Sequence, residues 1–235
     1  MTSDHLERGA LAGAAGGLVY GLFIATVGNS FTAGLEAFEA GHHEAAPAVS
    51  ELTTAVVGVG GGVLWGLLFG VVVFGAGYYL LEPALPGGGT ASRLALATGG
   101  FLTVSGAPWL VLPPQPPGVE QALPTETRLL WYGGMMVVGA LVAGLCGVAY
   151  RRTADSRRLV QTLATAGPLA LLVVPVALAP ANPVHGAVPP ALVTAYRWTV
   201  VFGQLLLWTT LAGVHAWLGD PSLVPEDAEF PATAD

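Results

Sequence analysis

The sequence predicts an all-α membrane protein, a polytopic bundle of about six transmembrane helices. Hydrophobic residues make up 53% of its 235 residues and charged residues only 10%, whereas an ordinary soluble domain carries about 25% charged residues. Mean hydropathy is +0.65. Long apolar stretches alternate with short polar breaks, and they lack the period-two alternation of barrel strands. Lipid is therefore the expected solvent of this chain.

Each apolar stretch is long enough for a membrane helix, which needs roughly 20 residues to cross the hydrocarbon core. The predicted helices span residues 9–28, 52–81, 94–112, 129–150, 159–179 and 192–218. We interpret the first as a retained helix and not a signal peptide, because Asp4, Glu7 and Arg8 do not form a net-positive leader. The bundle then occupies residues 1–219, and residues 220–235 form an acidic tail that we expect to be disordered.

The arginines predict the orientation of the bundle. The chain has no lysine, and six of its arginines precede the first helix or lie in the second and fourth interhelical loops: Arg8, Arg93, Arg151, Arg152, Arg157 and Arg158. Only Arg128 and Arg197 fall on the other side. The positive-inside rule therefore places both termini in the cytoplasm, in a multi-pass protein of the cell membrane. The three outer loops are residues 29–51, 113–128 and 180–191.

Several functions are disfavoured by what the sequence lacks. Without lysine there is no Walker A loop and no Schiff-base chemistry. No nucleophile and base, and no paired acids, occur inside the bundle, and the lone intramembrane His215 argues against a bis-histidine haem. We therefore expect no enzyme activity, no firmly bound cofactor and no nucleic-acid partner. The acidic, lysine-free composition, with a formal charge of −7, suggests a halophilic source.

Small residues predict how two helices pack. Gly9, Gly13, Gly17 and Gly21 recur every fourth residue in the first helix, and Gly58, Gly62, Gly66 and Gly70 do so in the second. Such ridges let helix backbones approach closely in lipid. We expect the first two helices to cross through these faces.

Histidine and carboxylate residues in the outer loops predict a metal site. In the first outer loop Glu36, Glu39, His42 and His43 lie within eight residues, and His185 lies in the third. Imidazole and carboxylate together suit divalent cobalt, nickel or zinc. We expect His42, His43 and Glu39, with Glu36 beside them, to capture a metal and His185 to transfer it. The alternative is that these are ordinary solvated loop residues.

Prolines predict a mouth at the same side of the membrane. The third and fifth helices both run outward into proline-broken tips, and such tips leave carbonyls that line ion sites in transporters. We expect Pro113, Pro114, Glu120, Glu126 and Arg128 to shape this mouth. Arg197, near the outer end of the last helix, could pair with Glu120 or Glu126. The alternative is that the prolines only kink and end the helices.

Two segments resemble a known family. Residues 107–119 read APWLVLPPQPPGV and are followed by Glu126-Thr127-Arg128 and Trp131-Tyr132, and residues 180–189 read PANPVHGAVP. These segments, with Glu36 and Glu39 after the first helix, are similar to the CbtA family of predicted cobalt transporter subunits. The resemblance implies a cobalt transporter linked to cobalamin synthesis. It also implies a small CbtB-like partner that has one span and a histidine-rich end.

Together these observations predict a bundle that captures a divalent metal, Co²⁺ by the resemblance, at its outer face and passes it inward. The alternative from another class is a non-transporting membrane scaffold or assembly subunit, whose glycine ridges serve partner helices.

Overall fold

The predicted helical membrane bundle is confirmed by a computed structural model, which describes residues 2–29, 51–116, 119–185 and 188–219. Within these ranges, six helices are long and apolar enough to cross a membrane. Their bounds agree with the sequence prediction to within a few residues at most ends.

Four of the six helices change their winding along their length. α1 comprises Thr2–Phe23 and continues in π-helical turns over Ile24–Gly28. α2 comprises Glu51–Phe69, π-helical turns over Gly70–Gly77 and a last turn at Tyr78–Leu81. α3 comprises Thr90–Phe101, π-helical turns over Leu102–Gly106 and Ala107–Val111. α5 comprises Arg158–Ala166, a 3₁₀ segment over Gly167–Leu172 and Val173–Leu178. α4, Thr125–Arg152, and α6, Pro190–Gly219, are regular throughout.

The crossing of α1 and α2 is formed by glycine, as predicted. A Cβ atom on Gly17 would lie 2.5 Å from the Gly62 carbonyl oxygen and 2.7 Å from the Val63 Cα. A Cβ on Gly62 would lie 2.6 Å from the Gly21 Cα. Because these neighbours are backbone atoms, only glycine allows this approach. Gly58 is the exception, since its Cβ would meet only the Ile24 side chain, at 3.6 Å.

The core consists of two clusters along the bundle. The larger joins α1, α2, α3 and α6 through Ala12, Phe74, Tyr78, Leu96, Ala97, Leu207, Trp208, Leu211 and Ala212. The smaller joins the end of α3 to α4 and α5 through Ala107, Met135, Val142 and Leu172. The lone Cys146 packs against this second cluster. α5 is peripheral, and it exposes Leu159, Leu163, Val173 and Leu178, which a bilayer would cover.

The described loops define two ends of the bundle. At one end the α3–α4 and α5–α6 connections form a short antiparallel ladder of β1, Glu120–Gln121, and β2, Val184–His185. We call this the ladder end. At the opposite end, which we call the arginine end, Arg151 donates hydrogen bonds to the Pro83 and Ala84 carbonyls. The sequence did not predict this short strand pairing. The rest of the described secondary structure is helical, as predicted.

Candidate functional site

The ladder brings together two of the residues that the sequence singles out. Glu120 is paired with His185 across β1 and β2, and Gln121 with Val184. Residues directly opposite in a ladder project to the same side. Glu120 and His185, both exposed, therefore place a carboxylate and an imidazole side by side. The α3–α4 and α5–α6 connections, which the sequence predicts to be outer loops, converge here. Glu36, Glu39, His42 and His43 of the first loop lie outside the described residues.

Hydrogen bonds of the Asn182 side chain hold these two loops together. Its side-chain oxygen accepts a hydrogen bond from the Leu123 backbone N–H at 3.1 Å, and its amide nitrogen donates to the Gln121 side-chain oxygen at 3.0 Å. The Ala122 N–H adds a bond to the Pro183 carbonyl at 3.1 Å. Sequence reasoning missed Asn182, because one amide in a loop carries no signal until its partners are known.

Arg197 does not form the ion pair considered for it with Glu120 or Glu126. Its Nε donates to the Pro114 carbonyl at 3.2 Å, and its Nη2 donates to the Gln115 side-chain oxygen at 3.2 Å. The proline-broken end of α3 leaves this carbonyl without a helical partner. Arg197 thus joins the end of α3 to α6, and it lies half-buried beneath the ladder.

A cavity of about 530 Å³ opens beside the ladder. It is lined mainly by Val119, His185, Val188, Pro189, Val193 and Arg197. Pro113 and Pro114 are half-buried close by, at the end of α3. Two other predicted mouth residues belong to the start of α4: Glu126 is exposed in its first turn, and Arg128 donates to the Thr125 hydroxyl at 3.1 Å. Among the described residues, neither bonds to His185 or Arg197.

The described residues do not form a complete metal site. No group of three histidine, cysteine, aspartate or glutamate residues within them could hold a metal ion. Glu120 and His185 supply two oxygen or nitrogen donors of the kind that divalent cobalt accepts.

Polar groups continue into the bundle between α3 and α6. At mid-depth the Ser105 hydroxyl lies 3.5 Å from the Gln204 side-chain oxygen. The Tyr132 hydroxyl donates at 2.7 Å to the Val104 carbonyl, within the π-helical turns of α3. The Trp208 indole nitrogen is buried without a hydrogen-bond partner. π-helical turns within α-helices frequently occur at functional sites.

At the arginine end a second polar cluster joins the same two helices. Arg93 Nε donates to His215 Nδ1 at 3.2 Å, and the guanidinium lies 5.3 Å from the centre of the Tyr78 ring. The Tyr78 and Ser92 hydroxyls are 2.9 Å apart. Arg93, His215, Tyr78 and Ser92 are all buried. Sequence reasoning noticed His215 but not its partner, which is 122 residues away.

One sequence signal could have revealed this series of polar groups. Arg197, Gln204, Trp208 and His215 are separated by seven, four and seven residues, and this spacing places them on one face of α6. Arg197, Gln204 and His215 bond to Gln115, Ser105 and Arg93, respectively. These partners lie just after the end of α3, in its middle and near its start.

These features define a multi-pass helical membrane protein whose intramembrane polar groups line one helix pair. The chain belongs to the CbtA family, described as a probable cobalt transporter subunit, because the family's model matches residues 2–220. The resemblance carried by the proline-rich segment is thus confirmed. The description as a subunit implies partner chains. Searches of curated proteins and of solved structures give no significant match.

Proposed function

We propose that this chain is a carrier, and not an enzyme, that captures divalent cobalt at the ladder end and passes it inward through the bundle. The observation that carries the proposal is the Glu120–His185 pairing, which joins the α3–α4 and α5–α6 connections beside a cavity. Membership of a cobalt transporter family supports the identity of the metal. In this account Co²⁺ is the cargo of the protein.

The first outer loop would complete the capture site. Glu120 and His185 supply two donors, and a divalent transition metal takes four to six. His42 and His43, with Glu39 and Glu36, have the donor chemistry to supply the others. Glu126, Arg128 and the Pro113-Pro114 turn would shape the approach, and Arg197 would hold the end of α3 and the start of α6 together at the mouth.

Orientation and partner belong to the same proposal. The concentration of arginines at the arginine end supports a cytoplasmic location for that end and for both termini, in the cell membrane. Capture at the ladder end then means import. A small single-span CbtB-like subunit with a histidine-rich end, as the family resemblance implies, would deliver or receive the metal at the mouth.

Cobalt binding to the purified protein tests the proposal. His42→Ala/His43→Ala and Glu120→Gln/His185→Ala should each weaken Co²⁺ binding at least tenfold, because each removes two donors. His5→Ala, at the arginine end, is the matched control and should leave binding unchanged. Binding should also weaken in acid, because imidazole binds a metal only when it is unprotonated. Unaltered affinity in both double variants would favour the scaffold alternative.

A further inference from the structure

A groove between α4 and α5 lies outside the proposed path of the metal. Its volume is about 520 Å³. It is lined mainly by Leu145, Val148, Ala149 and Arg152 of α4 and by Gly167 and Leu171 of α5. We call it the α4–α5 groove. Apart from Arg152 and its neighbour Thr153, the lining is apolar.

The winding of α5 leaves this space open. Gly167 begins the 3₁₀ segment of α5 and Pro168 follows it. A 3₁₀ turn is tighter than an α-helical turn, and Gly167 has no side chain. A Cβ atom added to Gly167 would meet no atom within 4 Å. The two helices nevertheless meet at the arginine end, where Gln161 Nε2 donates to the Tyr150 carbonyl at 3.4 Å.

The groove runs from the arginine end towards the middle of the bundle. Arg152 is the last residue of α4, and Leu145 lies within the helix, about 10 Å deeper at 1.5 Å per residue. A partner helix that crosses the membrane would need a face of roughly 30 Å. The α4–α5 groove therefore reaches into one leaflet only. This length suits a lipid acyl chain better than a transmembrane helix.

The open end of the groove carries an excess of positive charge. Residues 151–158 include four arginines and one carboxylate, Asp155. The Arg151 guanidinium is bonded to two backbone carbonyls of the α2–α3 connection. In the part of the chain that the structure describes, three exposed guanidinium groups have no hydrogen-bond or ion-pair partner: Arg152, Arg157 and Arg158. Such a cluster attracts an external anion.

We propose that the α4–α5 groove binds one anionic phospholipid, with an acyl chain along Leu145, Val148 and Leu171 and the headgroup phosphate at Arg152. A guanidinium donates two parallel N–H groups to a phosphate, and this geometry favours arginine at such sites. Basic pockets between membrane helices bind anionic lipid headgroups in the same way. The bound lipid would hold the peripheral α5 against α4.

The competing account is that these arginines only orient the chain in the membrane. Orientation needs positive charge in the connection but no groove beside it. The two accounts therefore differ in what they expect of the apolar wall. Filling the groove should weaken lipid binding only if an acyl chain occupies it.

Lipid binding to the purified full chain tests the proposal. The chain is stripped of lipid in a non-ionic detergent and titrated with dioleoylphosphatidylglycerol or dioleoylphosphatidylcholine, which share their acyl chains and differ in headgroup charge. Native mass spectrometry counts the bound lipids. The unaltered chain should bind one phosphatidylglycerol at least fivefold more tightly than phosphatidylcholine.

Two variants separate the headgroup from the acyl chain. Arg152→Gln should weaken phosphatidylglycerol binding about fivefold, because one arginine near an anionic headgroup contributes about that factor. Gly167→Leu retains every charge and fills the groove, so it should weaken the binding of both lipids. If Gly167→Leu does not purify as a monodisperse protein, Leu145→Trp fills the groove from the opposite wall and is measured instead.

Each variant has a matched control. Arg8→Gln removes a cation from the same end of the bundle, but from α1, which packs against α2 and α6. Gly133→Leu adds the same side chain to another glycine of α4, nearer the ladder end, where a Cβ also meets nothing within 4 Å. Both controls should bind phosphatidylglycerol like the unaltered chain. Excess inorganic phosphate should not displace the lipid, because it has no acyl chain.

Four results would each overturn the proposal. They are equal affinity for the two lipids, an equal loss in Arg152→Gln and Arg8→Gln, unchanged binding in the groove-filling variants, and displacement of the lipid by inorganic phosphate. The last result would leave only an anion site at the arginines. No cobalt measurement enters this test, so its outcome is independent of the proposed transport.

Discussion

Arg197 illustrates how far individual residue types predict contacts. The sequence placed it near the outer end of the last helix, and the structure has it close to the mouth, at the start of α6. The suggested glutamate partners were wrong, because exposed glutamates gain little from an ion pair while water solvates them. The carbonyl freed at the proline-broken end of α3 is held against Arg197 by the packing of two helices. The packing of the two helices, and not the attraction of opposite charges, therefore determines the hydrogen-bond partner of Arg197.

Glu120 and His185 were each predicted as site residues, but their pairing was not. Each residue type has chemistry that suits a metal, and that much is visible in the sequence. Their juxtaposition depends on β1 and β2 and on the two hydrogen bonds of Asn182. Such contacts between loops about 60 residues apart leave no periodic pattern in one sequence. Whether these two residues bind metal stays a prediction.

A disulfide cross-link tests whether residues 120 and 185 lie opposite each other in the ladder. In a Cys146→Ala background, Glu120→Cys/His185→Cys should cross-link rapidly on mild oxidation, because opposite residues in an antiparallel ladder have Cα atoms about 4.5–5.5 Å apart, which suits a disulfide. Adding Asn182→Ala should slow the reaction severalfold. The offset pair Gln121→Cys/His185→Cys is the control and should react slowly, because its side chains project to opposite sides. Equal rates for both pairs would contradict the register.

The glycine ridges are the elements that the sequence predicted best. A four-residue repeat of glycine specifies a continuous helix face, and both ridges meet where expected except at Gly58. The π-helical turns in α1, α2 and α3 were not predicted. The π-helical turns of α3 receive a tertiary contact, the hydrogen bond from Tyr132 to the Val104 carbonyl, and such a contact leaves no pattern in the sequence.

Alanine substitution distinguishes the glycines that pack against the neighbouring helix from those with open space around them. Gly66→Ala should destabilise the folded bundle by about 2 kcal/mol, because its Cβ would overlap the Gly13 and Gly17 backbones, which cannot move as a side chain can. Gly60→Ala, in the same helix, should be neutral or stabilising, since a Cβ there meets nothing within 4 Å. Thermal unfolding in detergent provides the measurement. Equal stability of the two variants would show that the α1–α2 crossing is looser than described.

At the scale of the whole molecule, hydropathy alone predicted the number and bounds of the membrane helices. Each helix must satisfy its own backbone in lipid, so its apolar length is directly visible in the sequence. The packing arrangement of the helices could not be predicted from hydropathy alone. In lipid every face of a helix can be apolar, so hydropathy does not show which neighbours a helix packs against or that α5 lies at the periphery.

Thiol labelling tests the orientation of the bundle. In a Cys146→Ala background, Ala46→Cys and Ala181→Cys should react with an impermeant reagent in intact cells, because the ladder end is expected to face outward. Ala154→Cys, in the exposed α4–α5 connection, should react only after permeabilisation. The reverse pattern would invert the proposed direction of capture.

Cobalt uptake tests the central claim most directly. Cells that produce this chain together with the proposed CbtB-like subunit should accumulate more radioactive Co²⁺ than matched cells without the chain. The His42→Ala/His43→Ala and Glu120→Gln/His185→Ala variants, produced at equal levels, should lose most of this difference. Equal accumulation with and without the chain would contradict the account.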